Sequence, residues 1–217
     1  MVLSDIEILT RRAAGEIVID PFDPADLGSA SYDVRLGEHY YEASTDVSRI
    51  YNIYSESDVR RVWVGPKMAC AVRDLKDLCP GADWSNIRDD DRIVMLGPRA
   101  NLLCHTREFI GARRGSTTMM KARSSIGRSL VNVCQCAGMG DVGYFNRWTM
   151  EIHNRSDYWI PLVAGRRVAQ IVFLETGETE RVYISKYQGT DDLECLVRSW
   201  APESMLPGLD KDRDVRS

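Results

Sequence analysis

The chain has 217 residues, 44% of them hydrophobic and 28% charged, with a formal net charge of -4. That length suits one sizeable domain with its own core, and the composition is ordinary for a globular protein. The acidic balance argues against a polynucleotide partner, which wants a basic surface, but leaves room for a local basic pocket around a single nucleotide.

No apolar run approaches the length of a membrane span. The opening MVLSDIEILT lacks the basic and apolar regions of a signal peptide. A cytoplasmic protein with no membrane partner is therefore expected.

Ser4-Asp5-Ile6-Glu7 is a capping box, and Ile6, Leu9 and Ala13 follow at helical spacing up to Gly15. The pattern predicts a short helix over 4–15, followed by a strand over 16–20 that Pro21 ends. Short apolar strands then alternate with turns: 31–36, 61–64, 93–96, 101–106, 117–122, 130–135, 148–153, 159–162 and 167–174. Many short strands and few helical stretches predict a mainly β fold, a sandwich or barrel. Residues 124–130 read as a short helical turn that would aim N–H groups at an anion.

Residues 44–92 are less regular and charged, and are expected as an insertion running over the surface of a single domain spanning 1–207. Within it Arg88-Asp89-Asp90-Asp91-Arg92 reads as a solvated loop rather than a cation site. Residues 208–217 read as a charged mobile tail. Of the six cysteines, only Cys134 and Cys136 are close, and a strand would place both on one face as small buried hydrophobes. No second metal hook accompanies them, so no protein metal site is expected.

The chemistry concentrates between Lys121 and Glu151. Arg123, Ser124, Ser125 and Arg128 offer a planar guanidinium fork and hydroxyl donors of the kind that bind phosphate. Asp141 sits among Gly138, Gly140 and Gly143, where the backbone can approach a ligand closely or where an Asx-turn would suffice. Glu151 interrupts a strand-like run. On an enclosed face it would suit proton transfer, and on an open one it is a solvated charge. The three histidines show no metal-binding spacing, and neither a phosphate-binding P-loop nor the zinc signature of nucleobase deaminases is present.

Taken together, these segments resemble the dCTP deaminase branch of the trimeric dUTPase superfamily, from the N-terminus to about Gly189. The resemblance rests on Ala30-Ser31-Tyr32-Asp33-Val34-Arg35-Leu36-Gly37, on 122–128, on 140–144 with 149–154, and on 165–173, in that order. It implies a distorted β-barrel or jelly-roll subunit in a homotrimer, with sites between subunits. It implies deamination of dCTP to dUTP and ammonia, with Glu151 as proton shuttle and Ser124 and Arg128 helping to hold water and base. Arg123, Ser125, Ala137, Asp141, Gln170, Tyr183 and Lys186 would bind the nucleotide, and Mg2+ would arrive on the triphosphate. Other readings that fit are a bifunctional deaminase-diphosphatase, a dUTPase, a deaminase of another deoxycytidine nucleotide, and a non-catalytic nucleotide-binding protein. Val142 stands where the family has Pro, Asn146 where it has Gly, and Cys136 where Thr is common. Asp191-Asp192-Leu193-Glu194 replaces a Gly-rich C-terminal continuation.

Overall fold

A computed structural model describes residues 1–45, 50–181, 183 and 186–212. Its elements in chain order are α1 (Asp5–Ala13), β1 (Ile17–Asp20), β2 (Tyr32–Ala43), α2 (Glu56–Val62), β3 (Trp63–Met68), β4 (Cys70–Ala71) and α3 (Val72–Lys76). There follow β5 (Arg92–Leu96), β6 (Asn101–Ala112), β7 (Ser116–Ala122), α4 (Ser124–Arg128), β8 (Val131–Asn132) and β9 (Met139–Gly140). The chain closes with β10 (Phe145–Asn154), β11 (Ile160–Val163), β12 (Arg167–Glu175) and α5 (Leu193–Ser199). The fold is mainly β, as expected.

Nine strands form one antiparallel sheet in the order β8-β10-β6-β2-β12-β7-β9, with β1 added on β6 and β3 on β2. The sheet curls into a distorted half-barrel, and β11-β5-β4 form a smaller second sheet. Strand β2 makes the corner. Its residues Tyr32 to Arg35 pair with β12, whereas Leu36 to Glu42 pair with β6. Gly37 sits at that corner because a Cβ there would lie 2.0 Å from the His105 ring. Inside the curl, Tyr32, Leu36, Ile110, Met120, Met150, Ile171 and Phe173 are among the buried residues of the main core.

Helix α1 carries the expected capping box: Ser4 Oγ accepts the Glu7 N–H at 3.3 Å and the Glu7 carboxylate accepts the Ser4 N–H at 2.7 Å. Its buried face is not the expected one. Ile8 is fully buried, while Ile6 is 72% exposed and Leu9 is partly exposed. The helix is short and is held from its other end, where Arg11 donates to the Gly115 carbonyl and Arg12 lies 4.1 Å over the Phe22 ring.

Three strand expectations change. β2 and β6 run well beyond 36 and 106, where polar residues find partners. Glu108, for example, accepts the Arg35 N–H at 2.9 Å and is 1% exposed. The strand expected over 130–135 shrinks to two residues, since Leu130 and Cys134 both adopt positive φ, 64° and 58°, and break it. Cys134 and Cys136 therefore do not share a strand face.

Residues 50–92 do more than run over the surface. Strand β3 pairs with β2, Ala69 joins the main core, and Val59 and Val72 are buried. The Asp run is tied down by ion pairs, Asp91 with Arg166 at 3.2 Å and Asp89 with Lys76. Residues 46–49 lie outside the described residues. So do 213–217 of the expected charged tail, whereas Leu209–Lys211 form a 3-10 turn. Among the described residues, no helix is long and apolar enough to cross a membrane.

Candidate active site

Strand β10 alternates buried and half-buried residues. Trp148, Met150 and Ile152 go to the core, so Arg147, Thr149 and Glu151 face outward. Pairing sets Glu151 opposite Leu103 of β6. The outward face is covered. Glu151, Leu103, Ala137, Met139, Asp141, Tyr144, Thr149, Tyr183, Tyr187 and Met205 are among the residues around a cavity of about 440 Å³. That volume lies within the range of small-molecule sites, roughly 300–1,000 Å³.

The wall is aromatic. Tyr144 meets Trp148 and Tyr183 edge-on, each with ring centroids 5.4 Å apart. Burial pushes the Tyr144 phenol well above the usual tyrosine range, so it stays neutral. Glu151 Oε2 accepts the Gln135 N–H at 3.2 Å, and its other oxygen has no protein partner among the described residues. The carboxylate also borders a second cavity, of about 400 Å³, with Tyr51, Asn101, Gln135 and Cys136. Glu151 thus borders both an aromatic chamber and a second opening.

Of the residues singled out from sequence, Glu151, Ala137, Asp141 and Tyr183 come together around this cavity. Asp141 is exposed at its rim, and its turn closes with the Tyr144 N–H on the Asp141 carbonyl at 3.0 Å. Arg123 lies elsewhere, in a pocket lined with Arg35, Arg166, Arg167 and Asp26. Its guanidinium meets Asp33 at 3.2 Å, and Arg167 meets the same carboxylate at 3.4 Å. Burial raises the Asp33 carboxyl against the pull of those two arginines. Ser124, Ser125 and Arg128 occupy α4 and are exposed. Gln170 is half-buried on β12, in register with Asp33 and Lys121. Lys186 is paired with Asp212. Among the described residues, neither of the two cavities that Glu151 borders includes Arg123, Ser124, Ser125 or Arg128.

Sequence reasoning missed Trp63, Trp148, Tyr187 and Met205 as cavity walls and Asp33 as the partner of Arg123. Asp33 lay within a quoted motif, and the Tyr144–Trp148 spacing was a usable signal. Trp63 and Met205 carried none, because they arrive through long-range packing. Among the described residues no group of three His, Cys, Asp or Glu could hold a metal ion. Single carboxylates such as Asp141 fit a hydrated Mg2+ that a triphosphate brings with it.

A curled antiparallel half-barrel that sets Glu151 and Asp141 at an aromatic cavity, beside a separate arginine cluster, is the framework of a nucleotide-scale enzyme site. A model of the family described as dCTP deaminase-like matches residues 2–176, and the chain belongs to that family. Among similar proteins, one of Halobacterium salinarum named "dCTP deaminase, dUMP-forming" is 30% identical, covering 88% of this chain and 91% of its own. Another of that name from Aquifex aeolicus is 28% identical over 87% and 90%. A "dCTP deaminase" of Halorubrum lacusprofundi is 30% identical over 88% of each chain. In fold, the chain is similar to the 2'-deoxycytidine 5'-triphosphate deaminase of Agrobacterium tumefaciens, with a TM-score of 0.50 at 21% identity. The match covers 79% of this chain and 47% of that longer one.

Proposed function

We propose that this enzyme hydrolytically deaminates dCTP and carries the product on to dUMP. Water adds to C4 of the cytosine and ammonia leaves. A second water then cleaves between the α- and β-phosphates to give dUMP and pyrophosphate. The single observation that carries the deamination step is Glu151, set on a rigid strand in an aromatic cavity with one oxygen held by the Gln135 N–H. Its free oxygen takes the proton of the attacking water and passes it to N3, then takes the proton of the C4 hydroxyl so formed and gives it to the leaving amine. One carboxylate can serve both roles in sequence. Tyr144, Trp148 and Tyr183 offer ring faces and edges for a pyrimidine.

The expected product shifts from dUTP to dUMP because similar proteins bear the name "dUMP-forming". Asp141, exposed at the cavity rim, supports the second step as the group that would orient water or hold hydrated Mg2+. Bound Mg2+ would offset the charge of the triphosphate.

The assembly proposed is a homotrimer. It is supported by the separation of the Glu151 cavity from Arg123, Ser124, Ser125 and Arg128, which an adjoining subunit would bring together. Arg123, now neutralised by Asp33, would exchange that carboxylate for phosphate. Separating the products of dCTP with Mg2+ tests this reading. Ammonia, dUMP and pyrophosphate in equal amounts are expected. Accumulation of dUTP would remove the second step, and absence of ammonia would remove the first.

A further inference from the structure

The family match ends at residue 176, but the Glu151 cavity does not. Tyr187, Ser204, Met205 and Pro207 complete one wall of it. Two side-chain amides hold this wall to β10 and to the turn before it. Asn146 is 5% exposed. Its Nδ2 donates to the Tyr187 carbonyl at 2.8 Å, and its Oδ1 accepts the Arg147 N–H at 2.8 Å. Gln188 accepts the Phe145 N–H at 2.9 Å and donates to the Gly143 carbonyl at 3.0 Å, so it braces the turn that carries Asp141.

Packing supports the same attachment. Trp200 packs at a tilt against His105, ring centroids 4.5 Å apart, with the Arg147 guanidinium 4.6 Å from its ring. Met205, 4% exposed, packs with Tyr41 and Leu103. The Gly208 N–H donates to the Tyr187 hydroxyl at 3.2 Å, tying the two ends of the segment. Asn146 and Glu151 lie on one strand, so the wall and the carboxylate share a rigid support.

We propose that Asn146 is a positioning residue: with Gln188 it latches the segment from Tyr187 to Pro207 onto β10 and makes it a fixed wall of the nucleotide cavity. This rests on the deaminase reading above. It also gives a role to the Asn that stands where related sequences carry Gly. The wall touches the nucleotide equally before and during reaction, so its loss weakens binding rather than chemistry.

The test is Asn146→Asp, which keeps the volume and the acceptor for Arg147 but removes the donor to Tyr187. Gln188→Ala, at a half-buried position, is the second variant should the first not fold. Hydrogen–deuterium exchange over the described part of 186–207 is expected to quicken about tenfold. KM for dCTP is expected to rise roughly five- to tenfold with kcat within about twofold. Unchanged exchange, or a fall in kcat with KM unmoved, would overturn the latch. Exchange is read without substrate. A wild type that turns over no nucleotide therefore defeats the deaminase reading while the exchange result still decides the latch.

Discussion

Glu108 and His105 sit on one strand and are both buried, at 1% and 2% exposure, yet burial moves them in opposite senses. Burial pushes the His105 imidazole down to about 4, helped by Arg147 and His39 and opposed by its bond to the Thr106 carbonyl. Burial pushes the Glu108 carboxyl up to about 7, with Asp26 adding to the rise and the Arg35 N–H opposing it. The two have opposite linkage. Between about 4 and 6.5 the unfolded chain binds more protons at His105, so that contribution to stability is lost as pH falls. Between about 4.5 and 7 the folded chain binds more protons at Glu108, so that contribution is lost as pH rises. Each is on the order of 3 kcal/mol, and they offset one another where they overlap. Urea unfolding of the wild type should be nearly flat with pH across that overlap. Glu108→Gln keeps an acceptor for the Arg35 N–H and should unmask a stability that climbs from pH 4 to 6.5. A flat profile in that variant would contradict the assignment.

At the scale of elements, the site depends on the β6–β10 ladder, which sets Glu151 against Leu103. Gly111 is where the ladder admits no side chain. A Cβ there would lie 2.0 Å from the Tyr144 carbonyl oxygen and 2.7 Å from the Phe145 Cα, and neither is a flexible tip. Gly111→Ala should therefore lower the unfolding free energy by about 2–3 kcal/mol, seen as a lower urea midpoint, with the Asp141 turn disturbed first. The strands themselves were legible, because Trp148-Thr149-Met150-Glu151-Ile152 alternates as a half-buried strand must. What was not legible was decided by distant partners. Glu108 lies beyond the strand expected over 101–106 and is held there by Arg35, and Trp63 and Met205 acquire a role only by packing across the chain. Leu130 and Cys134 ended a strand that their side chains favoured, because positive φ carries no side-chain signature in such residues.

For the whole molecule, the central structural fact is that, among the described residues, the two cavities that Glu151 borders above do not include Arg123. The resemblance to a trimeric superfamily explains this if each site draws on two chains. Mixing inactive Arg123→Ala and Glu151→Gln proteins, unfolded and refolded together, should then restore about a quarter of the wild-type sites by random assortment. Restoration of no activity would place each site within one chain. Motif order groups these residues into one expected site, whereas the cavities described above place Glu151 and Arg123 apart in the chain.

The claim that Glu151 carries the proton in deamination is tested most directly by ammonia release from dCTP with Mg2+, measured for the wild type and Glu151→Gln alongside nucleotide binding by each. Wild-type enzyme should release one ammonia per dCTP consumed. Glu151→Gln should bind dCTP with little change in affinity and release no ammonia. Ammonia release at the wild-type rate by that variant would contradict the account.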